Sequence, residues 1–367
     1  MQRSHVLRLI SILVFVSQSF FGPGLWAEST ASAPPQMTLA SATGGLYTGT
    51  IGERLSVIVS LQPREADLYG SYRYTTSLRP ISLEGKRSTD ATWQLKEWME
   101  SDVRSETPPD EPPPTGFWEA REDKNGSTVT GFWFSSDRKK KLPLTLRRVA
   151  QLQVMNAPHN IEAFFPVFVE SGAQTLNEHL ASEVRALITE QHAELQAVAA
   201  EFVGEGYEDA QERIKHLGAR LSYTVDAWSP AVLSVLVTQW DYQGGAHGNT
   251  RFSTINLRRA ADGTLSSLRV ADLFQPQSPW AERVAELITR DLQRQKASAM
   301  EDNARDFATD LTSNTLTWSL TPSALLIHFA PYEVGCYAEG DFHVAIPWKD
   351  LRRVLKKDIP GSFFSRP

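Results

Sequence analysis

The residues best suited to recognition or chemistry lie in two short segments of this 367-residue chain. Residues 242–248 contain three glycines around a histidine, and glycine permits positive backbone φ and close backbone approach. This spacing predicts a tight turn from which His247 projects. Residues 332–337 supply two tyrosines and a carboxylate. The candidate ligand-binding residues are Tyr242, Gly244, Gly245, His247, Gly248, Tyr332, Glu333 and Tyr337.

The sequence leaves two interpretations of His247 open. It is either a hairpin-turn residue whose hydrogen bonds are satisfied locally, or part of a recognition loop that contacts a glycan or a protein partner. In the second interpretation Tyr332, Glu333 and Tyr337 lie near His247. The alternative for the two tyrosines is half-buried packing.

Familiar catalytic and metal-binding templates are absent from the sequence. There is no Gly-x-Ser-x-Gly elbow, no His-Glu-x-x-His motif and no phosphate-binding glycine loop, and the eight histidines are scattered. We therefore assign no catalytic residue, metal or cofactor and expect a protein that is not an enzyme. The alternative is a hydrolase of envelope polysaccharide or peptidoglycan that acts through His247 and an acidic partner.

The first 27 residues have the pattern of a cleavable secretory signal. Arg3 and Arg8 precede an apolar run over residues 9–16, and Ala27 provides a small residue before a cleavage point. The run is shorter than the ~20 apolar residues that span a bilayer, so we expect no membrane anchor after cleavage. The expected location is periplasmic or secreted.

The charge of the chain bears on its partners. The formal net charge is −6, and removal of Arg3 and Arg8 leaves 35 basic against 43 acidic side chains, a charge of −8. An acidic surface disfavours nucleic acid and suits a basic partner. Cys336 is the only cysteine, so no intramolecular disulfide can form.

The residue pattern changes twice along the mature chain. Residues 28–44 are rich in Ser, Ala and Pro and predict a flexible leader, and residues 45–149 alternate apolar with polar side chains between glycines. The second stretch predicts an antiparallel β meander or small barrel of six to eight strands. Residues 150–367 mix helical and strand periodicity, which predicts an α+β domain with helices packed on an antiparallel sheet.

Four tryptophans of the β-rich stretch have two possible roles. They either fill the interior of the barrel or form a platform on which sugars stack, since aromatic rings serve both purposes. These residues are Trp93, Trp98, Trp118 and Trp133.

The two candidate segments also carry a family resemblance. Tyr-Gln-Gly-Gly-Ala-His-Gly at 242–248, Asn256, Val-Ala-Asp-Leu-Phe at 270–274, Phe-Ala-Pro-Tyr-Glu-Val-Gly at 329–335 and Gly340 before residues 342–347 resemble two conserved blocks. The family is a domain of unknown function shared by the extracytoplasmic part of the anti-sigma factor RsiV, a lysozyme receptor, and the non-catalytic region of the peptidoglycan deacetylase PdaC. The resemblance covers about residues 150–358.

The resemblance implies a binding or sensing module rather than a regulator or a deacetylase. Only eight residues precede the apolar run, which leaves no room for a segment that holds a sigma factor, and the metal-binding deacetylase domain with its Asp-Asp pair is missing. The implied partner is a cell-wall glycan or a basic, lysozyme-like protein. Cys336 departs from the family pattern, which leaves the conformation of the loop around Tyr332 and Tyr337 open.

Overall fold

A computed structural model describes residues 34–64, 67–77, 79–99, 113–298 and 306–364. The expected signal peptide, residues 1–27, and the first residues of the expected leader lie outside this range. From Pro35 onward the described residues form one compact unit.

Eight consecutive antiparallel strands make up the first part of the structure. Alternation builds them: in the fifth strand Trp93, Leu95 and Glu97 are buried, whereas Gln94 and Lys96 are exposed. The first strand pairs with the second and also with the eighth, so the sheet closes into a barrel that is larger than a simple meander. The strands are β1 (Thr38–Ile51), β2 (Leu55–Arg64), β3 (Asp67–Tyr74), β4 (Ile81–Arg87), β5 (Thr92–Met99), β6 (Gly116–Glu122), β7 (Thr128–Ser135) and β8 (Lys141–Ala157).

The interior of the barrel accounts for most of its tryptophans. Trp93 and Trp118 are buried, and Trp133 packs against the same hydrophobic cluster. Trp98 is half-buried and belongs to the outward-facing positions of β5. The four indoles therefore do not share one outer surface.

Strand β1 begins earlier than the sequence pattern predicts. The flexible leader expected over residues 28–44 is wrong for residues 38–44, which belong to this strand. The physical reason is pairing: Thr38 to Ser41 lie opposite Asn156 to Gln153 of β8. The partner strand supplies the backbone hydrogen bonds, although this stretch lacks an apolar alternation of its own.

Strand β8 is 17 residues long and belongs both to the barrel and to the extension of the same sheet beyond it. Its first half pairs with β7 in the barrel, and Ala150 to Ala157 pair with the next strand, β9 (Ile161–Phe168). The domain boundary expected at 149/150 thus falls inside a continuous strand.

The sheet extends beyond the barrel after a helical crossover. Two helices, α1 (Gln174–Gly204) and α2 (Ala210–His216), connect β9 to β10 (Gly218–Trp228), and β9 and β10 are parallel. This pair departs from the antiparallel expectation, because a crossover of this length returns the chain in the same direction. The antiparallel strands β11 (Val232–Tyr242), β12 (Asn249–Arg259) and β13 (Leu265–Ser267) complete the sheet.

A second, three-stranded antiparallel sheet closes the structure. It consists of β14 (Thr317–Leu320), β15 (Ala324–Phe329) and β16 (Phe342–Pro347), and the remaining helices are α3 (Trp280–Gln295), α4 (Phe307–Ser313), α5 (Trp348–Leu351) and α6 (Gly361–Phe364). Buried side chains of α1 share a hydrophobic cluster with β9 to β11, and those of α3 share another with β14 to β16. Among the described residues, no helix has the length and apolar character needed to cross a membrane.

Candidate functional site

The glycine-rich segment is the tip of the β11–β12 hairpin. Gly244 has φ +85°, and a Cβ at this position would lie 2.6 Å from the Phe202 ring, so both conformation and space require glycine. The Tyr242 hydroxyl donates to the Gly245 carbonyl at 3.0 Å, which braces the turn. His247 is exposed at the tip, as the sequence predicts.

The structure brings the two candidate segments together. The His247 ring stacks on Tyr337 with centroids 3.7 Å apart and planes 16° apart, and Tyr332 lies 5.6 Å from Tyr337. The Tyr337 hydroxyl donates to the Gly248 carbonyl at 3.1 Å, and the Tyr332 hydroxyl lies 3.4 Å from His247 Nε2. We call His247, Tyr332 and Tyr337 the His247 cluster.

Tyr332 is held in an unusual backbone conformation. Its φ is +74°, and 62% of the residue is exposed. The left-handed conformation costs a non-glycine residue ~1–2 kcal/mol, so such residues concentrate at sites where a side chain must be presented. The backbone thus points an aromatic ring into solvent beside His247.

An open cleft of about 650 Å³ adjoins the cluster and includes Tyr337 in its lining. Its floor is one face of the β11–β12 hairpin, with Thr238 directly opposite Phe252. Neither Thr238 nor Thr250 hydrogen-bonds another described residue through its hydroxyl. The lining consists of Leu236, Thr238, Thr250, Phe252, Pro331, Tyr337, Ala338, Glu339, Gly340, Asp341 and His343.

Trp240 extends the same face of β11 toward the hairpin tip. It is two residues beyond Thr238, and alternate residues of a strand share a face. The residue is 42% exposed, and a Cβ on Gly248 would lie 2.4 Å from its indole Nε1. The Trp240 indole thus lies against the backbone of Gly248, which leaves no room for a side chain at that position.

Asn256 ties together the two sheets that form the cleft. Its side-chain amide donates to the Trp318 carbonyl of β14 at 2.8 Å and accepts from the Ser234 hydroxyl at 2.5 Å. The Leu320 amide in turn donates to the Ser234 hydroxyl at 3.0 Å. This signature residue is buried and structural.

The remaining sequence candidate, Glu333, supports a turn. It accepts a hydrogen bond from the Ala330 amide at 2.7 Å, which stabilises the loop that presents Tyr332. In the glycine-rich hairpin, burial raises the pKa of Asp241, which was not a sequence candidate, and the nearby Arg251 opposes that shift. These carboxylates shape the loops around the His247 cluster.

Sequence reasoning missed the cleft residues Thr238, Thr250, Phe252, Asp341 and His343. Alternation along β11 and β12 could have placed the first three on one face. The positions of Asp341 and His343 required the register of β16, which leaves no signal in a single sequence.

Both nitrogens of the His247 ring have polar partners. The His247 ring nitrogens contact the Gly248 carbonyl, at 2.9 Å, and the Tyr332 phenol, and within the described ranges His247 forms no ion pair with a carboxylate. The cleft beside the cluster has two acidic side chains in its lining, Glu339 and Asp341. Among the described residues, no cluster of three or more His, Cys, Asp or Glu side chains is suited to a metal ion.

Comparisons with known proteins match two consecutive regions. Residues 156–250 match the family model described as Deacetylase PdaC, and residues 271–349 match Protein of unknown function (DUF3298). His247 lies in the first region and both tyrosines of the cluster lie in the second. No curated protein matches the chain.

Two crystal structures of DUF3298 family proteins are similar to this chain. The protein from Pseudomonas aeruginosa PAO1 has 16% identity and a TM-score of 0.34, over 54% of this chain and 85% of that chain. The protein from Bacteroides fragilis NCTC 9343 has 15% identity and a TM-score of 0.37, over 69% of this chain and 99% of that chain. The family models confirm the resemblance seen in the sequence: the chain contains a PdaC/DUF3298-like domain.

Proposed function

We propose that this protein is an exported, non-enzymatic binding module whose cleft holds a cell-wall glycan. The proposal is carried by the meeting of the His247 cluster with the cleft, where exposed aromatic faces adjoin uncommitted threonine hydroxyls. Sugar rings offer an apolar face for stacking and hydroxyls for hydrogen bonding, and a concave, partly apolar site suits both.

The surrounding structure supports a preformed site. Asn256 joins the two sheets, and helices α1 and α3, packed on those sheets through shared hydrophobic clusters, complete the scaffold that we propose. A preformed site reduces the ordering cost of binding. The export pattern in residues 1–27 and the match to a model described as Deacetylase PdaC support an envelope ligand.

Calorimetric titration with chito-oligosaccharides and with soluble peptidoglycan fragments tests the proposal. We expect Tyr337→Ala to weaken glycan binding about tenfold, since loss of a stacking aromatic removes ~1 kcal/mol or more. Tyr207→Ala is the matched control, because Tyr207 is 42% exposed and does not line the cleft. Absence of binding at millimolar glycan, or equal losses in both variants, would reject a glycan site in the cleft.

A second candidate ligand is a basic, lysozyme-like protein, which the net charge of −6 favours. Hen lysozyme at low salt provides the probe. Binding of lysozyme without glycan binding, lost in Tyr337→Ala and kept in Tyr207→Ala, would reassign the cleft to a protein partner.

A further inference from the structure

A continuous chain of hydrogen-bonded side chains runs from the buried interior to the cleft. The Ser319 hydroxyl donates to Asp226 Oδ2 at 2.6 Å and lies 2.7 Å from His328 Nε2. His328 Nδ1 lies 2.8 Å from His343 Nδ1, and His343 Nε2 lies 2.7 Å from Asp341 Oδ2. Five side chains from four strands and one loop are thus linked in sequence.

The number of donors and acceptors on each side chain determines which atoms of this hydrogen-bonded series carry the hydrogens. The single Ser319 hydrogen goes to the Asp226 carboxylate, so Ser319 accepts the hydrogen of His328 Nε2. His328 Nδ1 then has a lone pair and accepts from His343 Nδ1. His343 Nε2 faces the Asp341 carboxylate, and His328 is the neutral ring with its hydrogen on Nε2. One hydrogen lies between the two facing nitrogens.

The two ends of this hydrogen-bonded series of side chains differ in how firmly they are held. Arg73 of the barrel donates to Asp226 Oδ1 at 2.8 Å and to its backbone carbonyl, which fixes the buried end. Asp226 occupies a register shift in β10, where a β-bulge redirects a side chain. The side chain of His343, by contrast, is 46% exposed in the cleft. Movement is therefore easiest at the cleft end.

The surroundings of His328 disfavour protonation of its second ring nitrogen. His328 is 3% exposed, and burial lowers the pKa of its imidazole from the usual 6.5 to about 4. The charged groups that face it are Asp226 and Asp341, which favour the protonated form, and His343 and Arg73, which disfavour it. Because Arg73 pairs with Asp226, that carboxylate offsets only part of the effect of burial.

We propose that His328 and His343 form a proton-driven switch in the wall of the cleft. A proton taken up by His328 Nδ1 sets N–H against N–H across a 2.8 Å contact, which breaks the contact and turns the exposed His343 ring away from His328. Phe252, whose ring centroid is 5.6 Å from that of His343, loses this contact, and the cleft changes shape. The switch does not depend on the identity of the ligand.

Nitrogen NMR of ¹⁵N-histidine-labelled protein tests the switch directly. At pH 7 we expect His328 in the neutral Nε2–H form. On acidification, the ¹⁵N signals of His343 and the proton signals of the Phe252 ring, recorded by proton NMR, should move in the same step in which His328 takes up its proton. The indole proton signal of Trp118 in the barrel should stay at its native position through that step, because the change is local.

Variants assign the NMR signals to individual histidines and test whether protonation of His328 depends on His343. His343→Gln removes the facing imidazole, which lowers the pKa of His328, and should raise the midpoint of His328, whereas the matched control His216→Gln, on the exposed face of α2, should leave it unchanged. An Nδ1–H form of His328, or a midpoint unmoved in His343→Gln, would overturn the proposal. Loss of the Trp118 signal in the same step would also overturn it, since the proton would then enter by global unfolding.

Discussion

Glu97 in the barrel offers a sharp test of how a buried carboxyl group is held by neutral donors. It is 4% exposed, and its Oε2 accepts from the Tyr72 hydroxyl at 2.8 Å, Trp118 Nε1 at 2.9 Å and Trp133 Nε1 at 3.0 Å. In the described part of the barrel no Lys or Arg forms an ion pair with it. Burial, reinforced by this carboxylate, raises the pKa of Tyr72, so the phenol remains a donor.

The expected losses follow from the number of donors left without an acceptor. In Glu97→Gln the three donors face a neutral carbonyl oxygen, which accepts more weakly than a carboxylate oxygen, and the amide NH2 group brings further donors into the same buried site, at a cost of ~1–3 kcal/mol. In Glu97→Leu all three donors lose their acceptor, and removal of the buried carboxyl group offsets part of the cost. We expect destabilisation of about 2 kcal/mol for the Gln variant and about 4 kcal/mol for the Leu variant.

Urea unfolding followed by tryptophan fluorescence and circular dichroism measures these losses. Glu119→Gln is the matched control in the neighbouring strand β6, because Glu119 is exposed and pairs with an exposed Arg138. Its stability should stay within ~0.5 kcal/mol of the wild type. If Glu97→Leu were as stable as the wild type, the three donors would not depend on this carboxylate and the reasoning would be refuted.

Two further predictions concern the C-terminal half. Because the pKa of His328 falls from 6.5 in the unfolded chain to about 4 in the fold, stability is complete above pH 6.5 and decreases as the pH falls toward 4, by ~3 kcal/mol in total. Unfolding free energies across that range should fall more steeply for the wild type than for His328→Gln, and parallel curves would contradict the assignment. At Tyr332, where φ is +74°, the Gly variant should exceed the Ala variant in stability by ~1 kcal/mol, because only glycine adopts this conformation without strain. Urea unfolding of the two variants gives the comparison, and the reverse order would show that the backbone is not held left-handed.

The strands of the barrel could be predicted because alternation is local. Positions such as Trp93 and Leu95 indicate a buried face within a few residues. The early start of β1 and the parallel β9–β10 pair could not be predicted in this way. Both depend on which distant strand supplies the backbone partners, and that choice is made by tertiary packing.

The candidate site was predictable in its residues but not in its assembly. The glycines around His247 indicate a turn by themselves, yet nothing in the sequence places Tyr337 against the His247 ring. The contact between His328 and His343 is even harder to predict from the sequence, since the two residues face each other only through the register of β15 and β16. Asp226 reaches Ser319 from a register shift that no periodicity marks.

The shared strand β8 has a consequence for how the molecule can evolve and be dissected. A gene cut near residue 149 would sever a continuous 17-residue strand and expose unpaired amide and carbonyl groups on both fragments. Neither fragment inherits a complete set of strand partners, so the barrel and the PdaC/DUF3298-like region should be gained, lost or transplanted together. The relative orientation of the two regions is set by backbone hydrogen bonds between paired strands and not by a flexible linker, which restrains bending at the junction.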